Sequence, residues 1–511
     1  MEIKKTTQEE INSTLWRAAD TFRGKIDSSL YKDYILVMLF IKYLSDVYVE
    51  HYEEYASKYN NDGARIKRAL SRERFILDEK STFDYLYEKR NDSSIGDIIN
   101  KALEHIEESN KSKLRGVFRN IDFNSEVILG KTNDRNAILR TLLNDFKSLN
   151  LKPSNIAGND VIGDSYEYMI AQFASDAGKK GGEFFTPSMV SELLARLVKP
   201  EANDRIYDPT CGSGSLLIRA FKKVPNGKAQ IYGQERNGQT QALCKMNMFL
   251  HGIDDAKIEN GDTLSNPLHL EDGKLMKFQV VVANPPFSLD KWAMGFSGAE
   301  VEDKKFKMES SLDIHRRFEW GVAPSSKGDF AFIQHMLYSL AEEGRMGVVL
   351  PHGVLFRGAS EGKIRKKILE LNLLDAVIGL PENLFFGTGI PAVVLIFKNN
   401  RERDNVLFID ASGDDHYEKG KNQNKLREED LQEIVRVYES YETLDKYSYV
   451  ASSEEIKEND YNLNIPRYVD TFEEEEMVDM EVVAENISKL KAEISEVETQ
   501  MAKYLEELGL N

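Results

Sequence analysis

The sequence predicts an α/β protein in which a mostly parallel sheet, with helices on both faces, follows an all-helical N-terminal domain and precedes a helical C-terminal tail. Three observations indicate this class. Helical patterns fill the chain up to about residue 150, short β-rich runs alternate with helical stretches from about residue 203, and a 3-4 apolar repeat begins near Asn486.

The N-terminal region, predicted as a domain over residues 1–152, is dominated by one apolar helix. The run from Ser29 to Leu44 begins with a helix start signal and is too apolar for a solvated helix, so we expect a central bundle helix there. Further helices are expected over 97–108 and 134–149, and Pro153 ends the region. A bundle of this kind favours a packing or docking role over a catalytic one.

Short β-rich runs define a second predicted domain over residues 153–410. Strands that alternate with helices indicate a parallel sheet covered on both faces. The last two runs are joined only by Leu380–Pro391, which is short for a helical crossover, so the final strand is expected to be antiparallel. The runs are Arg205–Asp208, Gln230–Glu235, Lys257–Asp262, Phe278–Ala283, Met346–Leu350, Leu374–Gly379 and Ala392–Phe397.

Acidic residues concentrate in the C-terminal fifth of the chain, predicted as an acidic extension over 411–470 and a partner-docking helix over 471–511. From Ala411 onward there are 27 acidic and 11 basic residues, so −16 of the net charge of −18 lies there. Because proteins attract DNA mainly through Lys and Arg, this part is a poor DNA reader. Its apolar repeat instead predicts a coiled-coil contact with a partner surface, within the chain or outside it. The repeat consists of Ile487, Leu490, Ile494, Val497, Met501, Tyr504 and Leu508.

Composition argues against several other classes of protein. With 30% charged residues and a polar N-terminus that is unlike a signal peptide, the chain is expected to be cytoplasmic. No apolar run approaches the roughly 18 residues that a membrane span needs. The only cysteines are Cys211 and Cys244, which excludes a disulfide framework and a cysteine-rich zinc site. The histidines show no metal-ligand spacing, and we predict no metal.

A glycine-containing turn directly follows the first predicted strand. After Asp208, Gly212 and Gly214 would let the backbone approach a ligand closely, as in nucleotide-binding sheets. Glu235 ends the second run, where a carboxylate can accept both hydroxyls of a ribose, and Asp262 ends the third, where it could accept from an adenine amino group. Asp208, Glu235 or Asp262 alone would be an ordinary acidic strand end. Three such residues in succession, at the edge where open sheets bind ligands, predict a cofactor site.

The stretch from Asn284 to Phe287, Asn-Pro-Pro-Phe, directly follows the fourth run and is the most specific motif in the chain. The Asn284 side-chain oxygen and the Pro285 carbonyl can accept both hydrogens of an aromatic amine, which frees the nitrogen lone pair for attack on a sulfonium methyl. The two prolines, Pro285 and Pro286, stiffen the loop. Phe287 offers a face on which an extruded base can stack. A structural turn with two prolines is the alternative.

These motifs resemble those of S-adenosylmethionine-dependent amino-methyltransferases. Phe rather than Tyr at position 287 is similar to one subset of adenine-N6 enzymes. The order of Phe184-Phe-Thr-Pro187, the glycine turn and Asn-Pro-Pro-Phe is similar to their γ arrangement. The resemblance implies a Rossmann-like methyltransferase domain with S-adenosyl-L-methionine as cofactor. It also implies the activity of a site-specific, adenine-specific DNA methyltransferase that acts on a flipped-out base.

The same resemblance implies residues for both halves of the site. Thr210, Cys211 and Gly212 would lie against the methionine part of the cofactor, and Gly182 to Ser188 would line its cavity. The Leu380–Phe386 stretch resembles a later motif whose aromatic residue stacks on the second face of the base; both Phe385 and Phe386 fit. The expected cofactor-binding residues are Glu183, Phe184, Phe185, Thr186, Pro187, Ser188, Asp208, Thr210, Cys211, Gly212, Gly214, Glu235 and Asp262. The expected catalytic residues are Asn284, Pro285, Pro286 and Phe287.

More narrowly, the whole chain resembles the modification subunit of type I restriction-modification systems. Beyond the motifs above, the resemblance is carried by Lys327–Ile333, Leu350–Phe356 and Tyr461–Tyr468. It implies a DNA specificity subunit that binds two modification subunits, a motor/nuclease restriction subunit, double-stranded DNA as substrate and no membrane association. The acidic tail supports this picture, because a self-sufficient enzyme of this arrangement would carry a basic recognition domain there.

Two other functions are compatible with the motifs. The first is methylation of a protein glutamine or of RNA, since an Asn-Pro-Pro loop can serve any planar amine. The second is a non-catalytic, cofactor-binding scaffold, against which the intact Asn284 argues. The long insertion Leu289–Ser326, with its basic and aromatic residues, is expected either to contact the DNA backbone or to be a solvated loop.

Overall fold

The structure is a computed structural model that describes residues 5–23, 26, 28–158, 160–177, 185–302, 305–386, 388–421, 423–471 and 480–508. The chain divides into two compact units, one that ends at Val469 and one that begins at Asp470. No helix in the described ranges is both long enough and apolar enough to cross a bilayer.

Helices occupy both ends of the chain and alternate with strands between them. They are α1 Gln8–Phe22, α2 Ser28–Lys58, α3 Gly63–Leu70, α4 Phe83–Glu88, α5 Ile95–Ser109, α6 Lys111–Leu114, α7 Glu126–Leu129, α8 Thr132–Lys147, α9 Val161–Ala177, α10 Ser188–Val198, α11 Ser215–Lys223, α12 Gly238–Leu250, α13 Asp329–Tyr338, α14 Ala359–Glu370, α15 Glu428–Ser440, α16 Ser453–Glu458 and α17 Met480–Glu507.

The N-terminal helices form the predicted bundle around α2. Every residue from Ile35 to Ile41 is buried, which explains why this helix is apolar on all sides. Helix α1 begins with a capping box, in which the Thr7 hydroxyl accepts from the Glu10 amide and the Glu10 carboxylate accepts from the Thr7 amide. Phe40 meets Phe249 of α12 edge-on at 5.5 Å between ring centroids, so the bundle packs directly against a helix of the sheet layer.

The predicted sheet is present and, in the part of the chain that the structure describes, has nine strands in the order β13-β12-β10-β11-β9-β6-β1-β2-β3. Two further two-stranded ribbons, β4–β5 and β7–β8, lie outside it. The strands are β1 Arg205–Asp208, β2 Gln230–Glu235, β3 Lys257–Asn260, β4 Leu270–Glu271, β5 Lys274–Leu275, β6 Phe278–Ala283, β7 Glu300–Glu302, β8 Lys305–Lys307, β9 Leu340–Pro351, β10 Leu374–Gly379, β11 Ala392–Lys398, β12 Val406–Asp410 and β13 Ser448–Ala451.

Strand direction confirms the mostly parallel α/β class. β1 is parallel to both β2 and β6, and β6 is parallel to β9. β11 is antiparallel to β9 and to β10, as its short connection predicts. It is not the final strand, because β12 pairs parallel with β10 and β13 pairs antiparallel with β12. The two additional strands were not predicted, since each is short and is followed by an acidic stretch.

Two apolar layers cover the sheet, one on each face. Helices α10, α11, α12 and α15 bury the side chains of one face, and α13 and α14 bury those of the other. Because the chain winds away from β1 on both sides, with β2 on one side and β6 on the other, a crevice forms at the carboxyl ends of these strands. This topology brings the loops after β1, β2, β3 and β6 to one edge.

The insertion Leu289–Ser326 is largely packed against the sheet rather than solvated. Trp292 and Phe318 are buried, with ring centroids 5.2 Å apart. Arg317 is 1% exposed and pairs with Asp313 at 2.8 Å. This arginine therefore holds the insertion together and is not available to contact DNA, whereas its neighbour Arg316 is exposed.

The C-terminal unit consists of helix α17 in the described residues. The seven apolar residues of the predicted 3-4 repeat are all exposed, from 48% at Ile487 to 71% at Leu508. An exposed apolar face of this length is typical of a helix that binds another surface.

Candidate active site

A cavity of about 450 Å³ opens at the carboxyl edge of β1, β2, β3 and β6. This volume falls within the range of small-molecule sites. It is lined by Pro209, Thr210, Glu235, Arg236, Asn237, Gly261, Asp262, Thr263, Asn284, Pro286, Leu289 and Phe332. The residues predicted for the cofactor and those predicted for the reaction therefore share one cavity.

The glycine turn is held by hydrogen bonds on both of its sides. The Thr210 amide donates to Asp208 Oδ1 at 2.9 Å, and the Gly212 amide donates to Glu235 Oε2 at 3.1 Å. Gly214 has a φ of +86°, and a Cβ there would lie 2.6 Å from Met248 Cε. The backbone conformation therefore favours glycine at this position, and a larger residue would force the Met248 and Cys244 side chains of α12 to move.

Burial controls the charge of two carboxyl groups behind and beside this turn. Burial, opposed by the Thr210 amide and assisted by the nearby Glu235 carboxylate, raises the pKa of Asp208 to about 8. Burial also raises the pKa of Glu235, against the amides of Asn237 and Gly212 that donate to it. Because each carboxylate oxygen has two lone pairs, Glu235 retains capacity to accept from ligand hydroxyls.

The third acidic residue, Asp262, follows the end of β3 and caps the next turn. Its Oδ1 accepts from the amides of Leu264 at 2.9 Å and Ser265 at 3.3 Å. The buried Arg317 guanidinium donates to the carbonyl oxygens of Thr263, at 3.2 Å, and of Leu264. The insertion thereby fixes the backbone that presents Asp262 to the cavity.

Asn284 lies directly after β6, with its side chain half-buried. Its Nδ2 donates to Thr186 Oγ1 at 3.1 Å. An amide that turns its nitrogen towards Thr186 turns its oxygen the other way, so Oδ1 is left as an acceptor. The loop before α10 thus orients the residue that is predicted to bind the reacting amine.

A second cavity, of about 310 Å³, lies on the other side of this contact. It is lined by Gln8, Asp164, Glu167, Tyr168, Ala171, Phe185, Thr186, Ser188, Ser215 and Arg219. Burial raises the pKa of Glu167, and its Oε1 has no hydrogen-bond partner among the described residues. The Asn284–Thr186 contact joins the two cavities, and together they flank the glycine turn.

The aromatic residues near the site form two separate pairs. Phe287 meets Phe385 at 5.7 Å with an interplanar angle of 64°, and Phe185 meets Phe386 at 5.9 Å with an angle of 42°. Phe385 is only 5% exposed, whereas Phe287 and Phe386 are half-buried. Rings available for stacking must keep one face accessible, which favours Phe287 and Phe386.

The structure distributes the predicted site residues that it describes over two cavities, the turn between them and the adjoining loops. Thr210, Glu235, Asp262, Asn284 and Pro286 line the first cavity, and Phe185, Thr186 and Ser188 line the second. Asp208, Cys211, Gly212 and Gly214 build the turn between the cavities; Pro285 and Phe287 continue the Asn284 loop, and Pro187 precedes α10. Glu183, Phe184 and Gly182 lie outside the described residues.

Several lining residues were missed by the sequence analysis. Asn237 could have been found, because it follows Glu235 and caps α12. Ser215 starts the helix after the glycine turn and could also have been found. Glu167 and Phe332 are far from the motifs along the chain, and no sequence signal marked them.

A group of potential metal ligands also escaped the spacing argument. Asp160, Asp164 and His251 come within 4.8 Å of one another. The Lys222 ammonium bonds Asp160 at 2.5 Å and Asp164 at 3.2 Å, and His251 bonds Asp160 at 2.7 Å. The carboxylates are therefore already paired with a cation, and the group is explained as an ion-pair cluster between α9, α11 and α12.

Comparisons with known proteins identify the family of this chain. The family model for N-6 DNA methylases matches residues 157–477, and the model for the HsdM N-terminal domain matches residues 11–146. The type I restriction enzyme MpnII methylase subunit of Mycoplasma pneumoniae is 33% identical over 100% of this chain and 98% of that protein. The MjaVIII methylase subunit of Methanocaldococcus jannaschii is 33% identical over 99% of this chain and 86% of its own length.

Solved structures give the same result. The crystal structure of a type I restriction-modification methyltransferase subunit from Streptococcus thermophilus is 35% identical, covers 91% of this chain and 100% of that one, and has a TM-score of 0.77. A structure from work on the assembly of a type I restriction-modification system, 19% identical with a TM-score of 0.63, covers 98% of this chain and 99% of that one and shows the same fold. The chain belongs to the N-6 DNA methylase family and, within it, to the methylase subunits of type I restriction enzymes.

Proposed function

We propose that this chain transfers a methyl group from S-adenosyl-L-methionine to N6 of an adenine flipped out of double-stranded DNA. The observation that carries the proposal is the shared cavity, in which Asn284 faces the space bounded by Glu235 and Asp262. A cofactor bound by these acidic residues would have its methyl group within reach of an amine held by Asn284.

The residues present fit an adenosine-containing methyl donor. Glu235 can accept from ribose hydroxyls and Asp262 from the adenine amino group. The methionine part would run past the glycine turn towards Thr186 and Ser188, which line the second cavity. The sulfonium of the bound donor supplies an electrophilic methyl group and a neutral leaving group.

The protein's own contribution is to position and polarise the amine. Asn284 Oδ1 and the Pro285 carbonyl accept the two N6 hydrogens, which withdraws the nitrogen lone pair from the ring and directs it at the methyl carbon. The bound donor would give up its methyl carbon to N6 and keep the electron pair of the sulfur–carbon bond, while Asn284 and Pro285 hold the amine in line. The surplus N6 proton then leaves to water. Phe287 and Phe386 would stack on the extruded base.

We assign recognition of the DNA sequence to a partner subunit. We infer that a specificity subunit binds two copies of this chain, that the exposed apolar face of α17 takes part in that contact, and that a motor/nuclease subunit completes the restriction complex. The net charge of −18 supports this division, because an acidic chain binds phosphates weakly by itself. A cytoplasmic location belongs to the same proposal.

The test is methyl transfer by the chain reconstituted with its specificity subunit. Labelled methyl should appear as N6-methyladenine in DNA, and Asn284→Ala should lower kcat by about 100- to 1,000-fold, the usual loss when one preorganised hydrogen-bonding group is removed. The matched control is Asn266→Ala, an exposed asparagine outside the cavity lining. Label on cytosine, or on protein glutamine in place of DNA, would reject the proposal, as would full activity of the Asn284 variant.

A further inference from the structure

The loop that carries Asn284 and Phe287 is tied down at its next residue. Ser288 has a φ of +51°, a left-handed conformation that a serine adopts only when its surroundings impose it. Its amide donates to Asp329 Oδ1 at 2.8 Å, and its hydroxyl lies 3.4 Å from Asp329 Oδ2. Asp329 is the first residue of α13 and is fully buried.

A buried carboxylate must be paired, and here the partner is Arg357. Its Nη1 donates to Asp329 Oδ2 at 2.9 Å and to Glu361 Oε1 at 3.1 Å. Arg365 in turn donates to the carbonyl oxygens of Arg357, at 2.8 Å, and Tyr461, also at 2.8 Å. These bonds form a continuous chain from the catalytic loop through α13 and α14 to the C-terminal end of the unit.

This series of hydrogen bonds gives a role to three sequence segments that take no part in the chemistry. Asp329 lies in Lys327–Ile333, Arg357 directly follows Leu350–Phe356, and Tyr461 begins Tyr461–Tyr468. The middle segment itself contributes the Val354 carbonyl, which accepts from Arg365 Nη1 at 3.1 Å. Each segment therefore contributes a donor or an acceptor to the same network, whose end is the backbone amide of Ser288.

We propose that Asp329 is a positioning residue for the methyl transfer, and that Arg357 holds its charge in place. The carboxylate fixes the strained Ser288 backbone and so sets where Phe287 and Asn284 stand relative to the donor methyl group. The inference rests on the proposed function, and it adds that Asp329 acts on the geometry of the loop and not on cofactor binding.

The first experiment compares Asp329→Asn with the wild-type chain in the reconstituted complex. The amide keeps the size of the side chain but removes the charge that pairs with Arg357 and weakens the acceptor for Ser288. We expect kcat to fall at least tenfold while KM for S-adenosylmethionine changes less than threefold. With 2-aminopurine in place of the target adenine, the fluorescence gain on flipping should also fall.

Asp375→Asn is the matched control. Asp375 is also buried and bonds Lys398 at 2.9 Å and Arg401 at 3.0 Å, but it lies at the amino end of β10, the edge opposite the cavity. Its variant should lose thermal stability and keep the wild-type kcat at a temperature where it is folded. Equal losses of kcat in both variants would show that Asp329 has only a structural role.

Arg357→Gln covers the case in which Asp329→Asn does not fold. Asp329 can still accept from Ser288 in that variant, so kcat should fall, but by less than tenfold. Wild-type kcat in the folded Asp329→Asn protein, or in Arg357→Gln, overturns the inference, as does a loss confined to cofactor affinity. A wild-type complex that fails to methylate adenine would instead reject the proposed function itself.

Discussion

Replacing Arg317 with methionine tests whether the insertion supports the cofactor cavity. The Arg317 guanidinium and the Asp313 carboxylate are both 1% exposed. It also bonds two backbone carbonyls and lies 3.0 Å from His335 Nδ1, so its loss would leave several buried groups without a partner. Breaking a buried ion pair from one side costs about 3–5 kcal/mol.

That cost converts into a measurable shift in Tm. Unfolding entropy is about 2.1 cal/mol/K per residue, which gives roughly 1 kcal/mol/K for the unit that ends at Val469. Arg317→Met should therefore lower Tm by about 3–5 °C in differential scanning calorimetry. The affinity for S-adenosylmethionine, measured by titration calorimetry well below Tm, should fall as well, because the Thr263 and Leu264 backbone beside Asp262 loses its support.

Two variants decide whether the reasoning holds. Arg316→Met, one residue away and exposed, should change stability by less than about 0.5 kcal/mol. Adding Asp313→Asn to Arg317→Met should recover part of the loss, because it removes the unpaired charge. A fall in Tm of less than 1 °C for Arg317→Met would refute the buried-pair account. So would a double variant in which the two losses simply add, so that it is less stable than Arg317→Met by the full cost of Asp313→Asn alone.

Three further outcomes follow from the site. Thr186→Val should lower kcat about 2- to 10-fold, since the lost hydrogen bond contributes about 0.5–1.5 kcal/mol, and Thr186→Ser should retain most of the activity in the same methylation assay. Because the folded Asp208 has a pKa of about 8 and its ordinary value is 3.8, the folded state holds a proton that the unfolded state has lost between these values. The contribution of Asp208 to the stability of the ligand-free protein should thus decline as pH rises from about 4 to about 8, and Tm measured across this range should decline less steeply in Asp208→Asn. Gly214→Ala should destabilise the protein by about 1–3 kcal/mol in denaturant unfolding, through the clash of its Cβ with Met248 and Cys244 and the positive φ; unchanged stability would show that the turn adapts.

Much of the sheet could be read from the sequence because its strands are short apolar runs between helices. β1, β2 and β6 match the expected runs, and the direction of β11 followed from the length of one connection. β12 and β13 escaped because strands of five and four residues carry little pattern of their own. Pairing with β10 and with each other, which is non-local, is what makes them part of the sheet.

The site shows the same division between local and non-local information. Asn284, Glu235 and Asp262 could be found because each lies at the end of a strand or within two residues of it, and the carboxyl ends of parallel strands meet at one edge. The third strand ends two residues earlier than expected, at Asn260 and not at Asp262. Glu167 and Phe332 reach the cavities from parts of the chain that no motif marked, whereas Thr186 was expected from the resemblance. The contact between Thr186 and Asn284 spans 98 residues, and its distance could not be derived from spacing.

The sequence by itself determined the class of fold, and it predicted the edge of the sheet where the candidate site lies and the residues proposed for the chemistry, because these depend on local periodicity and on residue type. Only the tertiary structure decided that Arg317 is buried, that Phe385 and Phe386 face different rings, and that Asp329 holds the loop after Phe287. Those features depend on which side chains meet across long separations in the chain, and such meetings are set by packing and by the pairing of buried charges, which no single segment encodes.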